Sequence, residues 1–270
     1  MTLRVCSFES RRGDDMASLI RRHGGEPTIA PSMREAPLEK QEAVFDVWRR
    51  LTAGEIDVLL FLTGVGAQAM FDVLTTRVSP EELVEEINRR PVVIRGPKPA
   101  VVLNRLGIRI DVRAPEPNTW RDVLGAIDSS SLEINGKTIA VQEYGKPNPE
   151  LYEGLRERGA TVLPIPVYRW ELPDDLEPLR SAVKQTIAGE FDVLLFTSAQ
   201  QAHHVLEVAE QLGVQDEFLQ AANRCFIGSI GPTATETLTE LGLKPDSEPE
   251  HPKMGPLVAD ALSKAQTPPH

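Results

Sequence analysis

Basic, hydroxyl and glycine residues gather in the loops that follow the apolar runs of this sequence. The basic residues among them are Arg11, Arg12, Arg95, Lys98, Arg113, Lys146 and Lys253. Gly231-Pro232-Thr233 opens a predicted helix, and its counterpart in the first half is Gly96-Pro97-Lys98. Unpaired backbone N–H groups and the positive end of the helix dipole favour a carboxylate or phosphate at such a helix start. These residue types predict a binding site for an anionic small molecule.

Each of these features also has a structural interpretation. Gly231-Pro232-Thr233 is equally typical of a junction of strand, turn and helix with proline in the first helical turn. Ser198 is equally suited to capping the helix that follows it. No Gly-x-Ser-x-Gly elbow surrounds Ser198, so it is not predicted to be a nucleophile. His203 and His204 are predicted to be ordinary surface or lining residues.

The elements that position these residues occur twice. Ala53–Thr63 and Ala188–Ser198 share the pattern Ala-Gly-Glu-x-Asp-Val-Leu-Leu-Phe and start 135 residues apart, half of the 270-residue length. Each copy runs into an unbroken apolar stretch that stops at a hydroxyl residue. Such stretches predict strands buried on both faces of a parallel sheet. Thr63, Thr197 and Ser198 then lie at carboxyl ends of strands, where open α/β sheets bind their ligands.

Strands and helices alternate in both halves with the same spacing. The strands predicted in the first half are Leu3–Phe8, Pro27–Ala30, Ile56–Leu62, Val92–Ile94 and Ile108–Val112. The predicted helices include Asp15–His23, Leu38–Ala53, Gly66–Leu74 and Thr119–Ile127, with a polar segment at Pro80–Arg89. About five strands alternating with helices in each half predict flavodoxin-like, doubly wound α/β domains that arose by internal duplication.

Composition argues against several classes of function. The net charge of −11 and the isoelectric point near 5.0 argue against a nucleic-acid-binding protein. No apolar run approaches the roughly 20 residues of a membrane span, and no signal peptide is predicted. Cys6 and Cys225 are predicted to be reduced, buried thiols of a cytoplasmic protein. No zinc-ligand spacing and no Gly-x-Gly-x-x-Gly turn occur, so neither a metal nor a dinucleotide is expected.

The two copies differ at positions where one of them could have a chemical role. Tyr168 is aligned with Met33, and Thr233 is aligned with Lys98. A tyrosine that only one copy contains is a candidate for chemistry, although a tyrosine in such a segment is more often a packing residue.

At these residues the sequence resembles the uroporphyrinogen-III synthase family. The resemblance runs the length of the chain and rests on Phe196-Thr-Ser198, Val167-Tyr168, Ile230-Gly-Pro-Thr233, Thr235-Glu-Thr-Leu238 and Leu241-Gly242. It implies two α/β domains joined by a two-stranded linker, with the chain crossing between them. The implied ranges are about 1–34 plus 172–270 for one domain, 38–168 for the other, and 31–38 and 164–173 for the linker strands.

The resemblance implies a cofactor-independent lyase of heme or siroheme biosynthesis. Its reaction would cyclise hydroxymethylbilane, a linear tetrapyrrole with eight carboxylates, with loss of water and inversion of ring D. Tyr168 would donate a proton to the departing hydroxyl group. The substrate-binding residues predicted or implied are Arg11, Arg12, Thr63, Arg95, Gly96, Lys98, Gly145, Thr197, Ser198, Gly231, Pro232 and Thr233. A monomer that binds this substrate, and neither nucleic acid nor membrane, is expected.

Two departures from the family pattern leave alternatives open. Ala234 stands where the family commonly has a second threonine, and the loop Arg95–Ala100 lacks the usual hydroxyl group. One alternative is a catalytically weak, synthase-like regulatory protein that binds a tetrapyrrole or another anion. Another is a two-lobed small-molecule-binding protein unrelated to tetrapyrroles.

Overall fold

The chain forms two compact units. The computed structural model describes residues 2–37, 42–143, 145 and 147–266. Unit 1 consists of the residues up to Arg34 together with those from Glu171 onwards, and unit 2 consists of Glu35–Trp170. Lys146 and the beginning of the predicted helix Leu38–Ala53 lie outside the described residues.

Strands and helices alternate along the described chain. The strands are β1 Leu3–Ser7, β2 Gly25–Ile29, β3 Arg34–Pro37, β4 Val58–Phe61, β5 Val92–Ile94, β6 Val112–Arg113, β7 Thr138–Gln142, β8 Thr161–Ile165, β9 Tyr168–Glu171, β10 Val193–Phe196 and β11 Phe226–Ser229. The helices are α1 Gly13–Arg22, α2 Glu42–Thr52, α3 Gly64–Leu74, α4 Pro80–Asn88, α5 Pro97–Arg105, α6 Trp120–Asp128, α7 Pro149–Glu157, α8 Glu177–Ile187, α9 Ala199–Gln211, α10 Gln215–Ala222, α11 Pro232–Glu240 and α12 Met254–Ala265. No helix in this part of the chain combines the length and apolar character needed to cross a membrane.

Each unit contains one parallel sheet. The strand order is β6-β5-β4-β7-β8 in unit 2 and β11-β10-β1-β2 in unit 1, and β3 pairs with β9 in a separate two-stranded sheet. Ser247 extends the sheet of unit 1 by a single parallel bridge to Gly228, at the positions where Val112 pairs with Val93 in unit 2. The predicted α/β fold class, with a two-stranded linker, is confirmed.

The two sheets are built from interleaved parts of the two sequence copies. When the strands of one unit are numbered from β7 or β1, both sheets have the order 2-1-3-4-5, with Ser247 at the fifth position of unit 1. This is the flavodoxin-like order. In unit 1, β1 and β2 come from the first sequence copy, and β10 and β11 come from the second. In unit 2, β7 and β8 come from the second copy, and β4, β5 and β6 come from the first. A sequence repeat is therefore not a spatial unit.

The central strands β4 and β10 are buried on both faces. Val58 and Leu60 belong to one apolar cluster of unit 2, and Leu59 and Phe61 belong to another on the opposite face of the sheet. The strand β10 alternates in the same way. Side chains of a strand point alternately to opposite faces, so helices on both sides of a sheet require an unbroken apolar run.

The segment Pro80–Arg89 forms helix α4, where the sequence predicted only a polar segment. Ser79 caps the helix by accepting a hydrogen bond from the Glu82 backbone N–H at 3.2 Å. Leu83 and Ile87, four residues apart, are buried on one face. Val84 is half-buried beside them, but acidic residues occupy most of the other positions, so the apolar stripe is narrow and the sequence pattern understated the helix.

Two strand predictions also differ from the structure. The strand predicted at Ile108–Val112 is reduced to β6, because the Asp111 carboxylate accepts a hydrogen bond from the Val92 backbone N–H at 2.8 Å and so takes part in the pairing itself. The predicted linker range 164–173 begins too early, since Pro164 and Ile165 belong to β8 of the unit 2 sheet. The second linker strand, β9, begins at Tyr168.

Candidate functional site

In unit 2, hydrogen bonds link Thr63 to Tyr168 at the carboxyl edge of the sheet. Thr63 precedes α3, and its hydroxyl accepts a hydrogen bond from the Gly66 backbone N–H at 2.9 Å. The same hydroxyl lies 3.4 Å from the Tyr168 hydroxyl, at a distance where either group can donate. The Thr63 backbone N–H donates to Oε1 of the buried Gln142 at 3.1 Å. Two predicted site residues are thus brought together.

Tyr168 is held rigidly where β9 begins. Its side chain is almost fully buried, with 4% exposure. The Trp170 ring meets it edge to face, with ring centroids 5.2 Å apart and an angle of 88° between the rings. Gly145 has φ +67°, and a Cβ atom there would stand 2.5 Å from the Trp170 ring and 3.0 Å from the Tyr168 ring. Glycine at position 145 therefore serves the packing of the tyrosine.

Gly96 and Lys98 lie at the start of α5, close to the start of α3. A Cβ atom at Gly64 would stand 2.7 Å from the Lys98 carbonyl oxygen, and one at Gly96 would stand 2.5 Å from Asn118 Oδ1. A side chain at position 64 would force the two loops apart, and one at position 96 would displace the Asn118 side chain. Lys98 is exposed and Arg95 is half-buried. Prolines precede and follow Lys98, so its amide and ammonium groups are the donors of this first turn.

In unit 1, a buried carboxylate holds the loop that carries Arg11 and Arg12. Glu9 follows β1, is 8% exposed and accepts hydrogen bonds from the backbone N–H groups of Arg11 at 2.9 Å and Arg12 at 3.1 Å. Its other oxygen accepts a hydrogen bond from the Thr197 hydroxyl, at the end of β10. The Thr197 hydroxyl also accepts from Gln201 Nε2 at 2.8 Å. Sequence reasoning missed Glu9 and Gln201.

The surroundings of Glu9 keep it ionised. Burial by itself would raise the pKa of Glu9, but the hydrogen bonds from Thr197, Arg11 and Arg12 and the nearby charge of Arg11 outweigh burial. The pKa therefore lies below its usual value. An ionised, buried carboxylate with three donors is a stable anchor for the loop.

Glu9 is expected to stabilise the fold at neutral pH more than in acid. A glutamate of the unfolded chain has a pKa of about 4.3. Because the folded pKa is lower, this stabilisation is complete above the unfolded pKa and is lost as the pH falls through the folded pKa. Glu9→Gln should lower the free energy of unfolding by about 2 kcal/mol at neutral pH and by less in acid. Urea unfolding followed by circular dichroism across this range checks it; a loss that does not vary with pH would contradict it.

The other predicted residues of unit 1 lie at the starts of α9 and α11. Ser198 caps α9 by accepting a hydrogen bond from the Gln200 backbone N–H at 3.3 Å. Gly231 is buried, while Pro232 is half-buried and Thr233 is exposed in the first turn of α11. Ala234, in the same turn, is buried. Both helix starts belong to the carboxyl edge of the sheet, where the sequence predicted ligand binding.

His204 is a core residue, which corrects its prediction as a surface or lining residue. It is buried on α9, and its Nδ1 donates to the Ser32 carbonyl oxygen at 2.7 Å. Burial lowers the pKa of His204 and outweighs the Ser32 hydrogen bond and the Glu207 charge, which favour the protonated imidazole. His203, in contrast, is half-buried.

The two units use a glutamine from different elements to satisfy the backbone after the central strand. In unit 2, Gln142 reaches across from β7 and fills the space beside Gly66. In unit 1, Gln201 occupies the position equivalent to Gly66 and accepts at 2.7 Å from the N–H that follows β10. Ser7 occupies the position equivalent to Gln142. A large and a small side chain have thus exchanged places between the copies.

The described residues could mark a site by a metal-binding cluster or by a cavity at either edge of the sheets. Among them, no group of three or more His, Cys, Asp or Glu side chains could hold a metal ion. A cavity of about 490 Å³ in unit 1 lies by Leu3, Asp192 and Phe226, where β1, β10 and β11 begin. That is the edge opposite the one at which this fold binds ligands. The carboxyl edges of the two units are therefore the candidate sites.

Known relatives extend over nearly the whole chain. The uncharacterized protein YjjA of Bacillus subtilis (strain 168) is 27% identical over 258 residues, which are 95% of this chain and 94% of that protein. A putative uroporphyrinogen-III synthase of Methanothermobacter thermautotrophicus is 27% identical over 86% of this chain and 87% of its own.

A solved structure shares the fold of this chain, and a family model assigns its family. The crystal structure of a mutant uroporphyrinogen III synthase from the extremely thermophilic bacterium Thermus thermophilus matches with a TM-score of 0.72 at 24% identity, over 98% of each chain. The family model of uroporphyrinogen-III synthase HemD matches residues 14–259. The chain therefore belongs to the uroporphyrinogen-III synthase family.

Proposed function

We propose that this protein is a uroporphyrinogen-III synthase that cyclises hydroxymethylbilane with loss of water and inversion of ring D. The observation that carries the proposal is the buried Tyr168 hydroxyl beside Thr63, in a chain whose family model matches residues 14–259. The product is a precursor for heme or siroheme. The reaction needs no metal and no organic cofactor.

The proposed chemistry begins with a proton transfer from Tyr168. The Thr63 hydroxyl accepts from the Gly66 N–H, so its own proton can point to the Tyr168 oxygen. Tyr168 then donates its proton to the hydroxyl group of the substrate, the C–O bond breaks, and water leaves. A cation remains on the substrate, and the hydrogen bond from Thr63 stabilises the phenolate. Cyclisation releases a proton, which restores the phenol.

The proposed binding residues suit a substrate with eight carboxylates. In unit 2 they are Thr63, Arg95, Gly96, Lys98 and Gly145; in unit 1 they are Arg11, Arg12, Thr197, Ser198, Gly231, Pro232 and Thr233. Guanidinium and ammonium groups and helix starts bind carboxylates by charge-assisted hydrogen bonds. They act locally, so the net charge of −11 of the whole chain does not oppose them.

An isomer assay tests the proposed activity. The protein is supplied with freshly made hydroxymethylbilane, and the products are oxidised and separated as type I and type III isomers. Spontaneous closure gives type I, so a catalysed excess of type III is expected. A reaction without added protein is the control.

The absence of any excess of type III would overturn the proposal. A titration with uroporphyrin III, followed by quenching of its fluorescence, then distinguishes the alternatives. Tight binding without turnover is the result expected of a synthase-like regulatory protein. This alternative is favoured by the two departures from the family pattern, at Ala234 and in the loop Arg95–Ala100.

A further inference from the structure

The loop after β1 in unit 1 is occupied by the protein's own carboxylate. Loops that join a strand to a helix commonly bind external anions through successive backbone N–H groups. Here the N–H groups of Arg11 and Arg12 both donate to Glu9 Oε1, at 2.9 and 3.1 Å. Glu9 therefore takes the place that a small external anion would otherwise take.

The side chains of the same two arginines remain directed to the surface. Arg11 and Arg12 are exposed. Arg12 pairs with Asp15 at 2.7 Å, and the Arg12 side chain in this pair is 65% exposed. An exposed ion pair contributes little to stability, so a carboxylate of a ligand can replace Asp15 at low cost.

Glu9 also connects this loop to the central strand. Its second oxygen accepts from the Thr197 hydroxyl, and Gln201 holds Thr197 through its hydroxyl at 2.8 Å and its backbone N–H at 2.7 Å. The position of the arginine loop is thereby fixed to the end of β10 by charge-assisted hydrogen bonds. Such bonds are stronger and more directional than neutral ones.

We propose that Glu9 is a positioning residue that presents the Arg11 and Arg12 guanidinium groups to the carboxylates of the substrate. By filling the backbone N–H groups of the loop, it also closes that loop to small anions such as phosphate. The proposal rests on the proposed function, because the carboxylates are those of a tetrapyrrole. It assigns binding to guanidinium groups, whose forked geometry matches carboxylates.

Steady-state kinetics with hydroxymethylbilane and binding of uroporphyrin III test this role. Glu9→Gln keeps the shape of the side chain and removes its charge. We expect KM and the Kd for uroporphyrin III to rise about tenfold, as for the loss of one hydrogen bond to a charged group, and kcat to stay within about twofold. Glu86→Gln is the matched control, since Glu86 is a buried glutamate of α4 in unit 2. It should leave both constants unchanged.

A double-mutant cycle separates positioning from general stabilisation. Arg11→Ala/Arg12→Ala should raise KM at least as much as Glu9→Gln, and the triple variant should be no more than about twofold worse than the double. Gln201→Met removes the two hydrogen bonds that hold Thr197 against Glu9, at a residue outside the proposed binding set, and should raise KM by about threefold. This variant decides the matter if Glu9→Gln does not fold.

Separate outcomes would overturn the role of Glu9 and the proposed function. Unchanged KM and Kd in Glu9→Gln would overturn the role of Glu9 while the synthase activity stands. So would a triple variant whose increase in KM equals the product of the increases caused by Glu9→Gln and by Arg11→Ala/Arg12→Ala. If the wild-type protein neither forms type III nor binds uroporphyrin III, the proposed function fails, and this role fails with it. If the wild-type protein binds without turnover, the Kd values alone decide the role of Glu9.

Discussion

Replacing Tyr168 by phenylalanine is expected to slow the formation of type III product about 100-fold, because a positioned general acid contributes at least that factor. The phenol oxygen lies 3.4 Å from Thr63 Oγ1, and the ring is packed against Trp170. Phenylalanine keeps the ring and its packing and removes only the acidic hydroxyl. The decrease should therefore appear in kcat with little change in KM. Initial rates with separated isomers measure it.

Tyr152→Phe is the matched control for this prediction. Tyr152 is the other tyrosine of unit 2 whose side chain the structure describes, and its buried hydroxyl donates to Glu143 Oε1 at 2.7 Å. The variant loses a buried phenol hydroxyl at another place, so it should cost stability and leave kcat within about twofold. An unchanged kcat in Tyr168→Phe would remove the proton-donor assignment. Equal losses in both variants would indicate a general effect on folding.

Gly66→Ala is expected to destabilise unit 2 by about 2 kcal/mol, which is typical of overpacking in a filled core. A Cβ atom at Gly66 would overlap the buried carboxamide of Gln142. Gln142 would have to give up its hydrogen bond to the Thr63 backbone N–H, which leaves a buried donor unsatisfied. All three tryptophans of the chain lie in Glu35–Trp170, so urea unfolding followed by tryptophan fluorescence reports on unit 2.

Two further variants show whether the overlap is the cause. Gly125→Ala in α6 is the control, because nothing lies within 4 Å of a Cβ atom there; it should stabilise the protein by about 0.5 kcal/mol. Gln142→Ser introduces the serine found at the equivalent position of unit 1. Gly66→Ala should cost less in that background than alone. If its cost is the same in both backgrounds, the carboxamide is not what opposes a side chain at position 66.

Local patterns predicted the elements of this fold well wherever one environment governs a whole segment. The run Val58–Phe61 is apolar throughout because both faces of the sheet are covered, and that burial is visible in sequence. Helix α4 escaped prediction because its apolar face is short, with Leu83 and Ile87 buried and Val84 half-buried. The strand β6 was predicted too long, since the Asp111 side chain supplies an acceptor that a sequence pattern attributes to the backbone.

The candidate site could be predicted in part. Thr63 and the glycines have residue types and positions that suggest a site by themselves, whereas the role of Tyr168 is predicted through the family resemblance. The residue that holds the arginine loop of unit 1 does not suggest a site, because Glu9 stands in a polar loop where an acidic residue is unremarkable. One signal was present: Gln142 follows the apolar residues Ile139–Val141, and Gln142 and Gln201 each stand 135 residues after a small residue, Ser7 and Gly66. The sequence alone does not reveal this exchange, because it does not show that both glutamines accept a hydrogen bond from a backbone N–H at the end of a central strand.

The interleaved strand order has a consequence for how such a protein could arise. A single 135-residue copy holds strands one and two of one sheet and three to five of another, so it completes neither alone. Two identical chains could close both sheets by swapping halves, as a domain-swapped dimer. Joining them end to end makes the exchange intramolecular and raises its effective concentration. In a fused chain the two copies can also differ in sequence, so position 168 can be a tyrosine while the equivalent position 33 is a buried methionine.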